Sequence, residues 1–222
     1  MKFLLLLCFV IFGFLNISAQ ERYVKPVDEA AKDAAFLAFR TKLISAVKKR
    51  DTKYLLSALD PNIKASFGGD DGIEDFKRMW KINSPNSELW DELLAVLING
   101  GTFSKEGKTT LFSAPYSFTN FPDDLDAFEH QLIFGNNVNL RSKADSKSPS
   151  LSQLSYNVVK VDYQNSVSND KKDGEYLWLK VETLGGKKGF VNAKFVRSPI
   201  DYRAIFEKKS RSWKMTAFVS GD

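Results

Sequence analysis

Cysteine and histidine are almost missing from this chain, which has one of each, Cys8 and His130, in 222 residues. Zinc sites usually draw on two or three histidines or on a set of thiolates, so one histidine with carboxylates is a poor ligand set and no metal site is expected. A Ser-His-Asp relay would have to run through His130, which sits beside Glu129, and the chain has no G-x-S-x-G turn. Its many serine hydroxyls are inert without a base, and no glycine-rich phosphate loop is present to hold a nucleotide cofactor. An excess of one charge is lacking too. Lysine and arginine number 32 against 27 acidic residues, a formal net charge of +5. The charges alternate along the chain with only short clusters such as Lys48-Lys49-Arg50, the pattern of a solvated face. A modest basic balance favours adhesion to anionic surface polymers, but nothing points to nucleic acid. There is no internal repeat.

Only one long apolar run occurs, Phe3 to Leu15, preceded by Lys2 and followed by Asn16-Ile17-Ser18-Ala19 and the polar Gln20-Glu21-Arg22. A charge, an apolar stretch and a small residue at a polar boundary are what the export machinery reads. Residues 1–19 are therefore expected to be a signal peptide cleaved after Ala19, and the product to be periplasmic or secreted. Spanning a bilayer takes about 20 apolar residues, more than this run offers, so no transmembrane segment is expected in the mature chain. Cys8 lies within the apolar run behind leucines, not behind the small residue that lipid attachment needs. Cleavage removes it, leaving no thiol for a disulfide, a nucleophile or a metal. Stability must then come from packing, for which the many phenylalanine, tryptophan and tyrosine residues supply bulk. The remaining length suits two domains of about 100 residues each.

After a linker at residues 20–27, residues 28–126 read as a helical α+β domain. Ala35, Phe39, Leu43 and Val47 recur every four residues, which predicts one long amphipathic helix over residues 28–50. A short helix follows Asp51, with Tyr54, Leu55, Ala58 and Leu59 inward, and Asp60-Pro61 is expected to end it before a brief strand over residues 62–67. Gly68-Gly69 permits a turn, after which Asp71 and Glu74 predict a capping box for a third helix with Ile73, Phe76 and Trp80 inside. A fourth helix is predicted from Ser84-Pro85 through Leu89, Leu93 and Leu97 to Asn99-Gly100-Gly101, beyond which the period becomes that of strands. This order, with the run Asp51, Phe67-Gly68-Gly69, Phe76 and Trp80, resembles the opening of NTF2-like (cystatin-like) domains. That resemblance implies a cone whose cavity can bind a small molecule or do acid–base chemistry. Such chemistry needs a pocket group with a perturbed pKa, whereas Asp70, Asp71, Glu74 and Asp75 are better explained as helix-start residues.

Residues 128–197 carry Asn137-Val138-Asn139-Leu140-Arg141-Ser142, then Trp178-Leu179-Lys180-Val181, then Gly186-Lys187-Lys188-Gly189-Phe190-Val191. Short alternating segments between turns predict a small antiparallel barrel. The three motifs, in order, resemble the bacterial SH3 (SH3b) domain. The resemblance implies a five- to seven-stranded barrel, common in exported proteins, that in some members binds cell-wall peptide or other extended ligands. A catalytic Cys/His pair, frequent beside such barrels, is absent here. Tyr156, Tyr163, Tyr176, Trp178 and Phe195 are the candidate ligand-binding residues, because exposed aromatics give large contact area at low entropic cost. Each also has a packing role open to it. Gly185, Gly186 and Gly189 are expected in turns, and Arg141 at backbone carbonyls of the rim. Residues 164–175 read as a polar loop, and Pro149 argues against regular pairing across residues 142–155.

Residues 198–222 read as a hairpin: Tyr202, Ala204 and Phe206 alternate, a polar turn follows, and Trp213, Met215, Ala217 and Val219 alternate back. The Phe206-Glu207-Lys208-Lys209 and Trp213-Lys214 pieces resemble the last strands of NTF2-like domains, so the hairpin can return to the first domain or extend the barrel. The expected class is α+β: a helix-rich domain, a small SH3-like β-barrel and a C-terminal hairpin. Two functions stay open. One is an exported, cofactor-free and non-catalytic binding module for peptidoglycan or an envelope protein. The other is a small-molecule-binding or cofactor-free enzymatic N-terminal domain that the barrel positions.

Overall fold

Asp33 decides where the first long helix starts. Its carboxylate accepts the Phe36 N–H at 2.9 Å, which caps α1 (Ala34–Lys48). Because Asp33 is extended, with φ −126° and ψ 107°, the helix expected over residues 28–50 is divided there, and Ala30–Lys32 form a separate 3₁₀ turn. The inward stripe is Phe36, Arg40, Leu43 and Val47; Ala35 faces solvent and Phe39 is only half-buried. Asp51 caps α2 (Thr52–Ala58) through the Tyr54 N–H at 3.0 Å. The chain passes directly into β1 (Leu59–Lys64), so Asp60-Pro61 lies inside a strand. That is tolerable because β1 is an edge strand, where proline's missing donor costs no ladder bond. The predicted capping box is also replaced. Gly72, at φ +91°, is the residue before α3 (Ile73–Met79), with no side-chain cap, while Asp71 pairs with Lys64 in an isolated bridge. The fourth helix, α4 (Leu89–Ile98), starts later than Ser84-Pro85 and buries Leu89, Leu93 and Leu97 as the spacing requires.

Strands follow: β2 (Thr102–Glu106), β3 (Thr109–Ala114), the short α5 (Tyr116–Thr119), β4 (His130–Ile133), β5 (Val138–Arg141) and β6 (Ser150–Leu154). Then come β7 (Val158–Ser168), β8 (Tyr176–Thr183), β9 (Lys188–Asn192), β10 (Val196–Arg197), β11 (Arg203–Lys209) and β12 (Ser212–Val219). This computed structural model describes residues 20–170, 174–209 and 212–221. The expected signal peptide, with Cys8 and the cleavage point after Ala19, lies outside the described residues. Among the described residues no helix is long and apolar enough to cross a membrane.

The strands form two sheets. The five-stranded one has the order β1-β12-β11-β3-β2, and the seven-stranded one β10-β4-β7-β8-β9-β5-β6. The C-terminal hairpin therefore returns to the helical part: β11 runs antiparallel to β3, with Phe206 opposite Phe112, and β12 runs parallel to β1, with Leu59 opposite Met215. Phe36 of α1 meets this sheet 4.2 Å from Phe112 and 4.8 Å from Trp213, ring centre to ring centre. The seven-stranded sheet curls around a separate core of Ile133, Val138, Leu140, Val159, Val181 and Val191. The class is thus α+β, helical first and then an SH3-like curled sheet. Two local expectations fail. Pairing resumes immediately after Pro149, because β6 is an edge strand beside β5, with Val138 opposite Leu154. The polar loop also begins late, since β7 continues to Ser168 past a bulge where Asp162 accepts the Asn165 N–H at 3.2 Å. Residues 171–173 of that loop lie outside the described residues.

Residues 21–28 strap the two parts together. Glu21 accepts from the Thr183 hydroxyl at 2.7 Å and the Asn157 amide at 3.2 Å. Gly185 makes room for it, since a Cβ there would lie 2.6 Å from the Glu21 carboxylate. Val24 N–H donates to the Tyr156 carbonyl at 2.8 Å on the barrel side, and Gly101 N–H to the Val27 carbonyl at 2.9 Å on the helical side.

Candidate functional site

On β8, Leu179 and Val181 point into the barrel core, which turns Trp178 to the opposite face. It pairs with Asn192 on one side and Val167 on the other. Asn192 also accepts the Lys194 N–H at 3.3 Å, starting the 3₁₀ turn Ala193–Phe195 that sets Phe195 beside β9. Trp178 and Phe195 thereby line one concavity of about 160 Å³ with Val138, Asn139, Arg141 and Asn192. Lys194 contributes its ammonium 4.9 Å from the Phe195 ring centre. Arg141 donates to the Ser148 carbonyl at 2.6 Å, the rim role its position suggested, which pins the loop that closes this end. The lining includes two cationic side chains and no carboxylate. Chemically, that is an apolar shelf with two amides for backbone hydrogen bonds and a field that favours a carboxylate.

The five candidate aromatics do not share one surface. Only Trp178 and Phe195 meet in this groove. Tyr163 and Tyr176 pair on the β7–β8 arm with ring centres 5.4 Å apart. Burial first, and the Tyr176 phenol second, raise the Tyr163 pKa. Tyr156 stands apart at the seam between the two sheets. Asn139, Arg141, Asn192 and Lys194 line the groove beside the two aromatics, and Asn139 and Arg141 alternate with the buried Val138 and Leu140 and so face outward.

Several other chemistry-bearing residues are engaged structurally. His130 is buried, and its Nδ1 lies 2.9 Å from the Asp126 carbonyl. Asp70 and Asp75 pair with Arg78, and Glu74 with Lys77. Gly189 is within β9 rather than in a turn: a Cβ there would lie 2.7 Å from the Arg141 carbonyl oxygen. Among the described residues no three His, Cys, Asp or Glu gather into a metal-binding group.

A curled antiparallel sheet with an aromatic groove on its outer face belongs to the class of small β-barrel binding modules. Residues 136–197 match the family model for the bacterial SH3 domain. No curated protein matches the chain. Among solved structures, an NTF2-like protein with a cystatin-like fold from Novosphingobium aromaticivorans aligns at 11% identity over 85% of this chain and 88% of that one, with a TM-score of 0.27.

Proposed function

We propose that this is an exported, non-catalytic binding protein whose SH3 domain takes a cell-wall peptide in the Trp178–Phe195 groove. The observation that carries the reading is the groove's composition on a bacterial SH3 domain: two aromatics and two cations with no carboxylate. Wall peptides are short, extended and rich in free carboxylates, which suits an apolar shelf flanked by Arg141 and Lys194. The leader-like residues 1–19 support delivery to the wall.

The test is co-sedimentation of residues 20–222 with insoluble peptidoglycan, alongside Trp178→Ala. Central aromatic anchors cost about 2 kcal/mol or more when truncated, roughly 30-fold in affinity. We expect that loss at moderate salt, with near-UV circular dichroism confirming that the variant is folded. Retention no greater than that of an unrelated basic protein, or equal retention of the folded variant, overturns the wall reading and redirects the search to envelope proteins.

A further inference from the structure

A second concavity, of about 360 Å³, lies at the seam and is built from both parts of the chain. The strap supplies Pro26–Asp28, the C-terminus of α4 supplies Asn99 and Gly100, α5 supplies Tyr116, and the barrel supplies Phe134 and Tyr156. Its volume is at the lower end of the about 300–1,000 Å³ usual for small-molecule sites.

Its polar groups are unusual. Tyr116 is 3% exposed, and its ring is stacked on Phe134 with centres 5.2 Å apart. Its hydroxyl has no hydrogen-bond partner among the described residues. Burial first, and the neighbouring Tyr156 phenol second, push its pKa up to about 12, so it remains a donor at every physiological pH. The Tyr156 ring has no ring contact and its hydroxyl no partner among the described residues. Its backbone sits at φ +59°, a conformation that is strained for a non-glycine residue and clusters at ligand sites. Two hydrogen bonds hold it there: Tyr156 N–H to the Gly135 carbonyl at 3.0 Å and Val24 N–H to the Tyr156 carbonyl at 2.8 Å.

The charge of the seam site differs from that of the SH3 groove. No lysine or arginine lines it, and its one carboxylate, Asp28, is neutralised by Arg40 through bonds of 2.8 and 2.6 Å. Nothing there attracts an anion. Two free phenols and the Asn99 side chain offer hydrogen bonds beside an open aromatic face.

We propose that this cleft binds a small uncharged polyhydroxyl ligand of monosaccharide size, seated against the Tyr156 ring and hydrogen-bonded by Tyr116 and Tyr156. It is independent of the SH3 groove and does not rest on the wall-peptide reading.

The probe is N-acetylglucosamine, titrated into ¹⁵N-labelled residues 20–222 and followed by amide NMR, with inorganic phosphate as the charged comparison. Saturable shifts are expected at Gly100, Tyr116, Gly135 and Tyr156, with phosphate silent. Tyr116→Phe and Tyr156→Phe keep the rings and the packing, and each is expected to weaken binding about fivefold, as loss of one neutral hydrogen bond does. Trp178→Ala should leave the titration unchanged. The proposal is overturned by absence of saturable shifts at the four residues, by shifts confined to the Trp178 groove, by an equal response to phosphate, or by full affinity in both phenylalanine variants.

Discussion

Ending the chain at Arg197 removes β11 and β12 and leaves the SH3 segment whole. The loss falls on the helical part, because β12 lies between β1 and β11, and β11 bonds β3. Phe206, Trp213, Met215 and Phe218 all leave the same buried cluster. Truncating a buried Phe or Trp costs about 3–5 kcal/mol and a Met about 2–5, so these four together exceed about 10 kcal/mol. A whole domain has only about 5–15 kcal/mol to lose. β1 and the inner edge of β3 also give up their ladder bonds. The shortened chain should therefore lose the helical far-UV signal near 222 nm while the barrel, with its own core, keeps a cooperative urea transition reported by Trp178. Retention of full helicity would refute the idea that the hairpin completes the first sheet. Disappearance of the Trp178 transition as well would refute the independence of the two cores.

Two further outcomes follow from named contacts. Burial alone would raise the Asp28 pKa, but hydrogen bonds from Arg40 and the Ala30 N–H outweigh it and hold the pKa below the ordinary value. Its contribution is thus present above the unfolded value of about 3.9 and is lost as pH falls through the lower folded value. Asp28→Asn should be less stable than the native chain at neutral pH and should lose less on acidification, read from urea midpoints on either side of that window; parallel midpoint shifts would contradict this. Gly189→Ala sets a Cβ against the Arg141 carbonyl and the Leu140 side chain, 2.9 Å away. Overpacking of this kind costs about 1–3 kcal/mol, and we expect the loss in the barrel transition alone; an unchanged barrel midpoint would show that β5 yields.

Helical periodicity located α1, α2, α3 and α4 because buried residues must recur along one face. Their starts were less legible. Whether Asp33, Asp71 or Gly72 begins a helix depends on backbone angles that composition does not encode, and Asp71 was drawn instead into a bridge with Lys64. The strand at Asp60-Pro61 was hidden because its tolerance of proline comes from being at an edge, a property conferred by β12 far along the chain. In the SH3 segment, strand alternation and the second motif placed Trp178 on a strand directly. Asn139 and Arg141 stand in the first of the three motifs, visible as its outward positions. Tyr156 entered as an aromatic, yet its seam position follows from hydrogen bonds to Val24 and Gly135 that no local pattern announces.

The placement of the SH3 segment between β3 and β11 also bears on how the chain reaches its native state. β1 ends at Lys64, but its partner begins only at Ser212, so nearly the entire chain must be available before that parallel pair can close. Pairings so distant in sequence are slow to form. The barrel, by contrast, is contiguous and can close as soon as Arg197 is available. A chain delivered N-terminus first would thus hold its helical half open, with Phe36 and Leu43 uncovered, until β12 arrives. The barrel would by then be a folded body that brings the two distant strands toward each other and shortens the loop that remains to be closed.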